Sequence, residues 1–312
     1  MSVSPLVSVV MGVYNGEVQL AATLDSVLTQ AGVDLECLVV DDGSTDSTWA
    51  LLQQRAAADP RLKPQRQARG GLTRALVAGC GLARGEFIAR QDVGDISLPG
   101  RFAVQSRLLA SRRELAFVAC QFITVGPGGE RMSGPEPADG GAAIIESLLT
   151  AAAEGMKGPH HGSVMFRRSA YEKVGGYRPE FYFAQDLDLW SRLIEVGSLG
   201  LVDEVLYQSR FAPGDLSARH RPQQMLLRDL IREATLCRRE GHSEDALLQQ
   251  AATVRGPAAT AGKYAESRAE YFIGSCLLRR RDPAARRHLW RAVRQEPLHL
   301  KAWAKLIGSH VL

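Results

Sequence analysis

The stretch LVSVVMGVYNGE, residues 6–17, decides the fold, because a continuous valine-rich run stops there at an asparagine and a glycine. A run without polar alternation is typical of a strand buried in a parallel sheet, and the Asn–Gly pair indicates the turn after it. Residues 17–30 follow with apolar side chains at a helical period, and LECLVVDD, residues 35–42, is a second buried run. This order predicts βαβ units and a Rossmann-like, mostly parallel sheet with flanking helices.

A third apolar run, EFIARQD at residues 86–92, extends this sheet, and polar side chains stand at the end of each predicted strand. They are Tyr14 with Asn15, Asp41 with Asp42, and Asp92 with Asp95. Ligands of open α/β sheets bind beyond the carboxyl ends of the strands. The three polar strand ends therefore predict a single site at one edge of the sheet.

The middle of the chain carries fewer regular signals. Residues 127–141 are rich in glycine and proline and indicate a loop. GSVMFRR, residues 162–168, predicts a strand, and residues 186–197 predict a helix that ends at Gly197.

Beyond about residue 220 the chain is helical in pattern and enriched in alanine and arginine. Residues 269–297 are similar to one tetratricopeptide repeat, with small residues at repeat-like positions. An ordinary helical hairpin packed on the first domain is favoured over a repeat, because the second copy is poor. We expect a first domain over 1–220 and an all-helical C-terminal region over 221–312.

Composition places the chain among soluble globular proteins and argues against nucleic acid as a partner. The 312 residues are 45% hydrophobic and 23% charged, with a formal charge of +4. No basic stripe is interleaved with aromatic side chains, as nucleic-acid binding requires. The basic run at residues 277–294 predicts a solvated helix face, with an acidic membrane surface or acidic partner as the alternative.

Cysteine usage and hydropathy indicate a cytoplasmic protein. The five cysteines are scattered without a CxxC pair, which favours a reducing compartment. The apolar run near the amino terminus has no basic segment before it and no cleavage site, so it predicts a buried strand rather than a signal peptide. No stretch of 18 apolar residues occurs, so no membrane-spanning helix is expected.

Two other α/β classes fail on their motifs. The first strand ends in VYNGE, residues 13–17, and not in the GxGxxG that places a dinucleotide pyrophosphate on a helix amino terminus. VVDDGSTD, residues 39–46, would suit the phosphoacceptor strand of a receiver domain. A receiver is far shorter than this chain, however, and no matching lysine strand is present.

Five segments, in this order and at this spacing, resemble glycosyltransferase family 2. They are VSVVMGVYNGE (7–17), LVVDDGSTDST (38–48), GLTRAL (71–76), GEFIARQDVGDISLPGRF (85–102) and GYRPEFYFAQDLDLW (176–190). The resemblance covers about residues 1–215. It implies the GT-A fold and an enzyme that moves a sugar from a nucleotide-diphosphate donor with inversion at the anomeric carbon. The Q-x-x-R-W motif of processive members is missing, so single sugar additions are expected.

The resemblance assigns nucleotide binding to the first two strand ends. It implies that Tyr14, Glu17, Asp41 and Asp42 hold the base and ribose of the donor. A nucleotide needs a flat pocket with hydrogen-bond partners, and these residue types supply both. The alternative for Tyr14 is a half-buried core aromatic.

The acidic motif departs from the family pattern where the family holds a metal. Members usually have Asp-x-Asp-Asp, and this chain has Asp92, Val93, Gly94 and Asp95. Mg²⁺ or Mn²⁺ prefers carboxylate oxygens and stabilises a departing diphosphate. We expect Asp95 to reach the ion because Gly94 is flexible, with Asp92 on the ribose or on the ion through water. The alternatives are a weakly held ion with Arg90 neutralising the diphosphate, or Asp95 capping the turn.

Inversion requires a base opposite the leaving group, which the family places in an acidic pair before DLW. This chain has Gln185 and Asp186 there, so Asp186 is the predicted base. The missing first acid removes a like charge that would raise the pKa of Asp186. His161 and His220 are candidates for acceptor or diphosphate contacts, with solvated turns as the alternative.

The leading hypothesis is a nonprocessive, inverting glycosyltransferase of the cytoplasm or of the cytoplasmic membrane face. Its acceptor would be a surface polysaccharide or a lipid-linked saccharide. The alternative is a catalytically weak relative that binds a nucleotide sugar, or a scaffold that uses its helical tail, which Gly94 and Gln185 favour. Retention of Asp186 argues against complete loss of activity.

Overall fold

The computed structural model describes residues 7–134, 138–151, 155–211, 220–254 and 265–309. The chain forms two compact units. The first consists of Met1–Phe122, Glu136–Gln208 and Gln223–Arg255, and the second of Ile123–Pro135, Ser209–Pro222 and Gly256–Leu312. The predicted boundary at residue 220 stays a proposal, and these units differ from it by assigning 223–255 to the first.

Four parallel strands form the first half of the sheet. β1 (Val7–Val13), β2 (Leu35–Asp41), β3 (Leu62–Arg66) and β4 (Phe87–Arg90) lie in the order β3-β2-β1-β4. Val7 pairs with Leu35 on one side and Phe87 on the other. The predicted runs at β1, β2 and β4 are confirmed. β3 was not predicted, because its sequence LKPQR is polar and contains a proline, which an edge strand tolerates.

Helices α1 (Leu20–Leu28), α2 (Thr48–Ala58) and α3 (Leu72–Gly81) follow β1, β2 and β3 in the predicted alternation. The sheet has a buried cluster on each face because neighbouring residues of a strand point to opposite sides. Val9 and Met11 pack in the cluster that contains Leu24 of α1. Val10 packs in the cluster that contains Leu76 of α3.

The second half of the sheet is largely antiparallel. β5 (Ile96–Ser97), β6 (Leu115–Val125), β7 (Val164–Arg167) and β8 (Ser198–Arg210) complete the order β3-β2-β1-β4-β7-β6-β8-β5. β7 runs antiparallel to β4 and to β6, and β5 runs antiparallel to β8. Only β7 was predicted among these strands.

The helices of this half are α4 (Arg101–Ser111), α5 (Ala138–Thr150), α6 (Arg168–Lys173) and α7 (Gln185–Leu193). The loop predicted over 127–141 is therefore wrong at its end, where α5 begins. The helix predicted to reach Gly197 ends at Leu193 instead. A Cβ at Gly197 would lie 2.9 Å from Glu114 O and from Ala116 Cβ, so this glycine serves the close approach to β6.

Two C-terminal helices, α8 (Arg221–Arg239) and α9 (Asp245–Thr253), belong to the first unit. Four of their side chains lie in the buried cluster of α7, namely Leu227, Leu230, Ile231 and Ala251. Arg238 binds Glu195 at 2.7 Å and Glu244 at 2.8 Å, and Arg178 binds Glu244 at 2.6 Å. Shared ion pairs of this kind order both partners at a smaller entropic cost than isolated pairs.

The second unit contains α10 (Ala265–Arg279), α11 (Ala285–Gln295) and α12 (Leu300–Gly308). A Cβ at Gly274 would lie 2.8 Å from Leu289 Cγ, so α10 and α11 pack closely at this glycine. The all-helical character of the C-terminal region is confirmed. Its likeness to a tetratricopeptide repeat stays a proposal.

No helix within the described ranges is both long and apolar enough to cross a membrane. All five cysteines are free thiols. Burial raises the pKa of Cys37 and of Cys80 to about 12, so both remain protonated and unreactive at neutral pH.

Candidate active site at the carboxyl ends of the strands

Tyr14 follows β1 and is 37% exposed. Arg69, between β3 and α3, holds its guanidinium carbon 3.8 Å from the centre of the Tyr14 ring. Its Nη1 also donates a 2.6 Å hydrogen bond to the Tyr14 hydroxyl. Tyr14 is therefore a surface ring with a cation over it, and not a core aromatic.

β2 ends in Asp41, whose carboxylate is fully buried. Oδ1 accepts a hydrogen bond from the Ser44 N–H at 3.1 Å. Oδ2 lies 3.1 Å from Arg66 Nε but makes no hydrogen bond. Oδ2 is thus paired with the Arg66 cation inside the protein, and the contact of Asp41 with the donor nucleoside stays a prediction.

The carboxylate of Asp42 is engaged by the protein itself. Oδ1 accepts from Gln67 Nε2 at 2.7 Å and from the Gly70 N–H at 2.8 Å, and Oδ2 accepts from the Gly71 N–H at 2.7 Å. Gly71 precedes α3 at a φ of +90°, which favours glycine. Asp42 thus anchors the segment that carries Arg69, and its contact with a nucleotide stays a prediction.

Glu17 also binds backbone within the protein. Its Oε2 accepts a 2.9 Å hydrogen bond from the N–H of Ser47, directly before α2. A carboxylate at a helix amino terminus is favourable because unpaired N–H groups and the helix dipole are positive there. Glu17 therefore ties the turn after β1 to the start of α2, and its predicted role toward the donor remains untested.

After β4 the chain makes a tight turn, which the Asp95 N–H closes by donating to Asp92 O at 3.3 Å. Gly94 occupies a φ of +98°, a conformation that strains residues with a Cβ. Its N–H donates to Thr23 Oγ1 at 3.0 Å, and Thr23 Oγ1 donates to Asp95 O at 3.1 Å. The backbone of this turn explains the glycine at the position where the family usually has an acid.

The two acids of the turn differ in environment. Asp92 is 31% exposed in its side chain, and its Oδ1 pairs with Nη2 of the buried Arg90. Burial opposes the charge of Asp92, yet the Arg90 cation helps hold the pKa of Asp92 below its ordinary value. Asp95 is 7% exposed, and its Oδ2 accepts a 2.7 Å hydrogen bond from the Tyr207 hydroxyl.

This donor set fits a cation that takes most of its ligands from substrate and water. No group of three His, Cys, Asp or Glu side chains suited to a metal occurs in the described part of the chain. The second carboxylate oxygen of Asp92 does not take part in the ion pair with Arg90. Mg²⁺ is often held by one or two carboxylates with phosphate oxygens and waters. Asp92 is the residue that would hold such an ion, and Asp95 as a direct ligand stays a prediction.

Asp186 lies in the first turn of α7. Burial raises the pKa of its carboxyl above the ordinary value, although the Leu187 N–H and the Arg228 cation oppose this rise. The negative charge of Asp92 adds to it, which places both acids in one electrostatic cluster. The missing acid at position 185 removes one like charge that would raise this pKa, and burial raises the pKa without it. A base with a raised pKa accepts a proton more readily.

His160 and His161 lie beside this cluster as neutral rings. Burial lowers the pKa of His160 to about 4 and that of His161 to about 3. The His161 Nε2 lies 2.8 Å from the Tyr177 hydroxyl. Neutral imidazoles can hydrogen-bond a sugar hydroxyl but bring no charge to a diphosphate. His220 is 7% exposed just before α8, and both predicted contacts remain untested.

Arg66, Arg69 and Tyr207 were not predicted as site residues. The basic segment RQARGG, residues 66–71, carried a local signal for the two arginines. Tyr207 had none, because it meets Asp95 across 112 positions of the chain and lies on a strand that was not predicted.

Solved structures first define the class of this protein. The mannosyltransferase PcManGT from Pyrobaculum calidifontis, in complex with GDP-Man and Mn²⁺, gives a TM-score of 0.58 at 18% identity, over 99% of this chain and 81% of that one. A fragment of TarS from S. aureus also gives 0.58, at 16% identity, over 97% and 88%. The expected GT-A fold is thereby confirmed.

Sequence relatives then define the family. The model for glycosyl transferase family 2 matches residues 8–175. The putative glycosyltransferase EpsE of Bacillus subtilis (strain 168) is 34% identical over 216 residues, which are 67% of this chain and 74% of EpsE. The chain therefore belongs to glycosyltransferase family 2 and is a glycosyltransferase. Chondroitin synthase of Pasteurella multocida (strain Pm70) is 28% identical over 68% of this chain, which spans only 21% of that synthase.

Proposed function

We propose that this enzyme moves one sugar at a time from a nucleotide-diphosphate donor to a hydroxyl acceptor, with inversion at the anomeric carbon. The observation that carries the proposal is Asp186, a partly buried carboxylate of raised pKa in one electrostatic cluster with Asp92. Asp186 would accept the proton of the incoming hydroxyl, and Asp92 would hold the cation that meets the departing diphosphate.

The surface at the ends of β1 and β2 suits the nucleoside of the donor. The exposed Tyr14 ring offers a face for base stacking, and Asp41, at the end of β2, is the carboxylate expected to meet the nucleoside. Proteins of the same fold were solved with GDP-Man and with UDP, which supports a nucleoside diphosphate here. Glu17 and Asp42 act in this proposal by fixing the two turns around that surface.

In this proposal the charge of the departing diphosphate is met by Arg90, the last residue of β4. Arg90 is buried, and its Nη1 donates to Val10 O at 3.0 Å while Nη2 holds Asp92. A Mg²⁺ or Mn²⁺ ion held by Asp92 and the diphosphate would neutralise the charge that develops as the sugar–phosphate bond breaks. Divalent metal use in this fold is supported by the Mn²⁺ of PcManGT.

The transfer itself is a displacement at the anomeric carbon. Asp186 takes the proton of the acceptor hydroxyl, the acceptor oxygen bonds to the anomeric carbon, and the electron pair of the breaking bond leaves with the diphosphate oxygen. The neutral His161 ring, held by Tyr177 at 2.8 Å, is placed to hydrogen-bond the acceptor. Attack from the face opposite the diphosphate inverts the configuration.

A saccharide is the acceptor class that the relatives favour, since three of them are named as chondroitin or hyaluronan synthases. Residues 265–309 carry ten basic and four acidic side chains, an excess of six in a chain of net +4. Trp290 and Trp303 are 51% and 41% exposed in the same helices. Arginine with exposed tryptophan suits an anionic lipid surface, so we place this enzyme at the cytoplasmic membrane face.

A second candidate function is binding of a nucleotide sugar with little transfer. Gln185, at the position of the usual first acid, is 7% exposed and its Oε1 makes no hydrogen bond. Gly94 removes a further acid from the site. This candidate predicts nucleotide binding without turnover.

A panel of UDP-, GDP- and dTDP-sugars tests the proposal. Release of nucleoside diphosphate by hydrolysis is measured with Mn²⁺ and with EDTA, and the product anomer is assigned by NMR. We expect hydrolysis with one donor class, with inversion, and its loss in Asp186→Asn. Asp203→Asn, at an exposed carboxylate on β8, is the matched control and should keep wild-type rates.

Binding of a nucleotide sugar without turnover by the wild type would favour the second candidate function. Retention of the anomeric configuration would contradict the single displacement.

A further inference from the structure

The hydroxyl of Tyr207 sits between two residues of the acidic turn. It donates a 2.7 Å hydrogen bond to Asp95 Oδ2 and accepts a 3.3 Å bond from the Asp92 N–H. Tyr207 is fully buried on β8, and its ring lies 4.7 Å from the Arg101 guanidinium and 5.4 Å from the His160 ring. A single side chain thus joins both ends of the turn from the opposite half of the sheet.

The backbone around Tyr207 restricts its hydroxyl to one position. Tyr207 pairs with Ser97 of β5, two residues beyond the turn. On the other side, a Cβ added at Gly162 would collide with the hydroxyl oxygen. A tyrosine hydroxyl is protonated at neutral pH, so it keeps donating to Asp95.

We propose that Tyr207 is a positioning residue that withholds Asp95 from a divalent cation and leaves Asp92 as the carboxylate that meets the donor diphosphate. The Tyr207 hydroxyl occupies one lone pair of Asp95 Oδ2 and draws charge from it through a strong bond to a charged acceptor, which makes this oxygen a weaker ligand for an ion. Gly94 brings no side chain to the site. This inference rests on the proposed function and extends it to how the truncated acidic motif is used.

The proposal predicts that removing the hydroxyl releases a second carboxylate for the ion. Tyr207→Phe keeps the ring contacts and deletes only the oxygen. We expect Mn²⁺ to bind this variant about threefold or more tightly in the presence of saturating UDP or GDP, because carboxylate number sets affinity at such sites. We also expect kcat to fall about tenfold, since the turn loses its fixed geometry.

Calorimetric titration of Mn²⁺ measures the first effect without requiring turnover. Tyr171→Phe is the matched control: its buried hydroxyl accepts a 3.2 Å bond from the Tyr177 N–H, away from the turn. The control should lose stability but keep the Mn²⁺ affinity of the wild type. A purely structural role for Tyr207 predicts the same for Tyr207→Phe, and that result would overturn the proposal.

Asp95→Asn supplies an independent check with little change in packing. The amide oxygen still accepts from Tyr207, so we expect Mn²⁺ affinity within about twofold of wild type. The double variant Tyr207→Phe/Asp95→Asn should lose the gain seen in Tyr207→Phe, because the gain needs the Asp95 charge. A loss of Mn²⁺ affinity of about tenfold or more in Asp95→Asn would show that Asp95 is itself a ligand, and would refute the proposal.

These titrations separate the inference from the proposed function. If the wild type transfers no sugar but Tyr207→Phe gains Mn²⁺ affinity, the proposed function fails and the role of Tyr207 stands. If sugar transfer is found and Mn²⁺ affinity does not change in Tyr207→Phe, the role of Tyr207 fails alone.

Discussion

Replacement of Asp42 by asparagine should destabilise the first unit strongly, because three protein donors converge on this carboxylate. Asparagine can keep the oxygen that accepts from Gln67 and Gly70, but it then turns an NH₂ group toward the Gly71 N–H. One hydrogen bond to a charged acceptor is lost, worth about 1.5–3 kcal/mol, and an N–H is left unsatisfied. The opposite amide orientation loses two bonds. We therefore expect Asp42→Asn to cost about 2–4 kcal/mol of unfolding free energy.

Urea denaturation followed by far-UV circular dichroism and by tryptophan fluorescence measures this loss. Asp34→Asn, at an exposed carboxylate before β2, is the control and should lie within about 0.5 kcal/mol of wild type. Calorimetric titration with UDP and GDP then separates the structural role from a ligand role. Unchanged stability together with lost nucleotide affinity would refute the reasoning, because Asp42 would then bind the donor rather than the segment before α3.

Four further outcomes are expected. Asp186→Asn should lower kcat about 10²–10⁴-fold in a transfer assay, while calorimetry should show unchanged nucleotide affinity. A residual rate above about a tenth of the wild-type rate would contradict the role of Asp186 as base. Because burial raises the pKa of Asp186, the wild-type kcat should fall on acidification at a higher pH than an exposed aspartate would give, and Asp186→Asn should lack this acid limb. Gly94→Asp should cost about 1–2 kcal/mol in urea denaturation because of its φ of +98°, and an unchanged midpoint would contradict the strained turn. The full chain should sediment with anionic but not with neutral vesicles, and the sedimented fraction should fall at high salt and in Trp290→Ala. The control Leu201→Ala, in the first unit, should sediment like the wild type. Equal binding to neutral vesicles would contradict the charge argument.

The sequence was most informative where local pattern and burial coincide. β1, β2 and β4 are buried along almost their whole length, so their apolar runs were continuous, and the polar residues that follow them marked the site. β3 is polar, β5 has two residues, and β8 mixes glycine and acids with its apolar residues, so none carried a clear period. Strands without a clear hydrophobic pattern are specified by their neighbours in the sheet.

The same distinction separates the predicted from the missed parts of the site. The acids Asp41, Asp92 and Asp186 stand in local motifs and were predicted from them. The residues that contact these acids and set their charge were not predicted, because they come from distant parts of the chain. The Asp95 carboxylate is engaged by a tyrosine 112 residues away, and the burial that raises the pKa of Asp186 is a property of the packed protein. A single sequence, taken by itself, carries no signal for such pairings.

The separation between Asp95 and Tyr207 has a consequence for how the enzyme is made. Chains leave the ribosome amino terminus first, and domains begin to fold during synthesis. Once residues 7–90 have emerged, each of the strands β1 to β4 has its parallel neighbours available for pairing. The acidic turn, however, lacks its hydroxyl partner until residue 207 has emerged, and the buried cluster lacks Leu227 and Ile231 of α8 for longer still. A nascent chain halted near residue 200 would therefore hold a partly folded sheet with an unfinished active site. Donor binding to the growing polypeptide should begin only in the last third of translation.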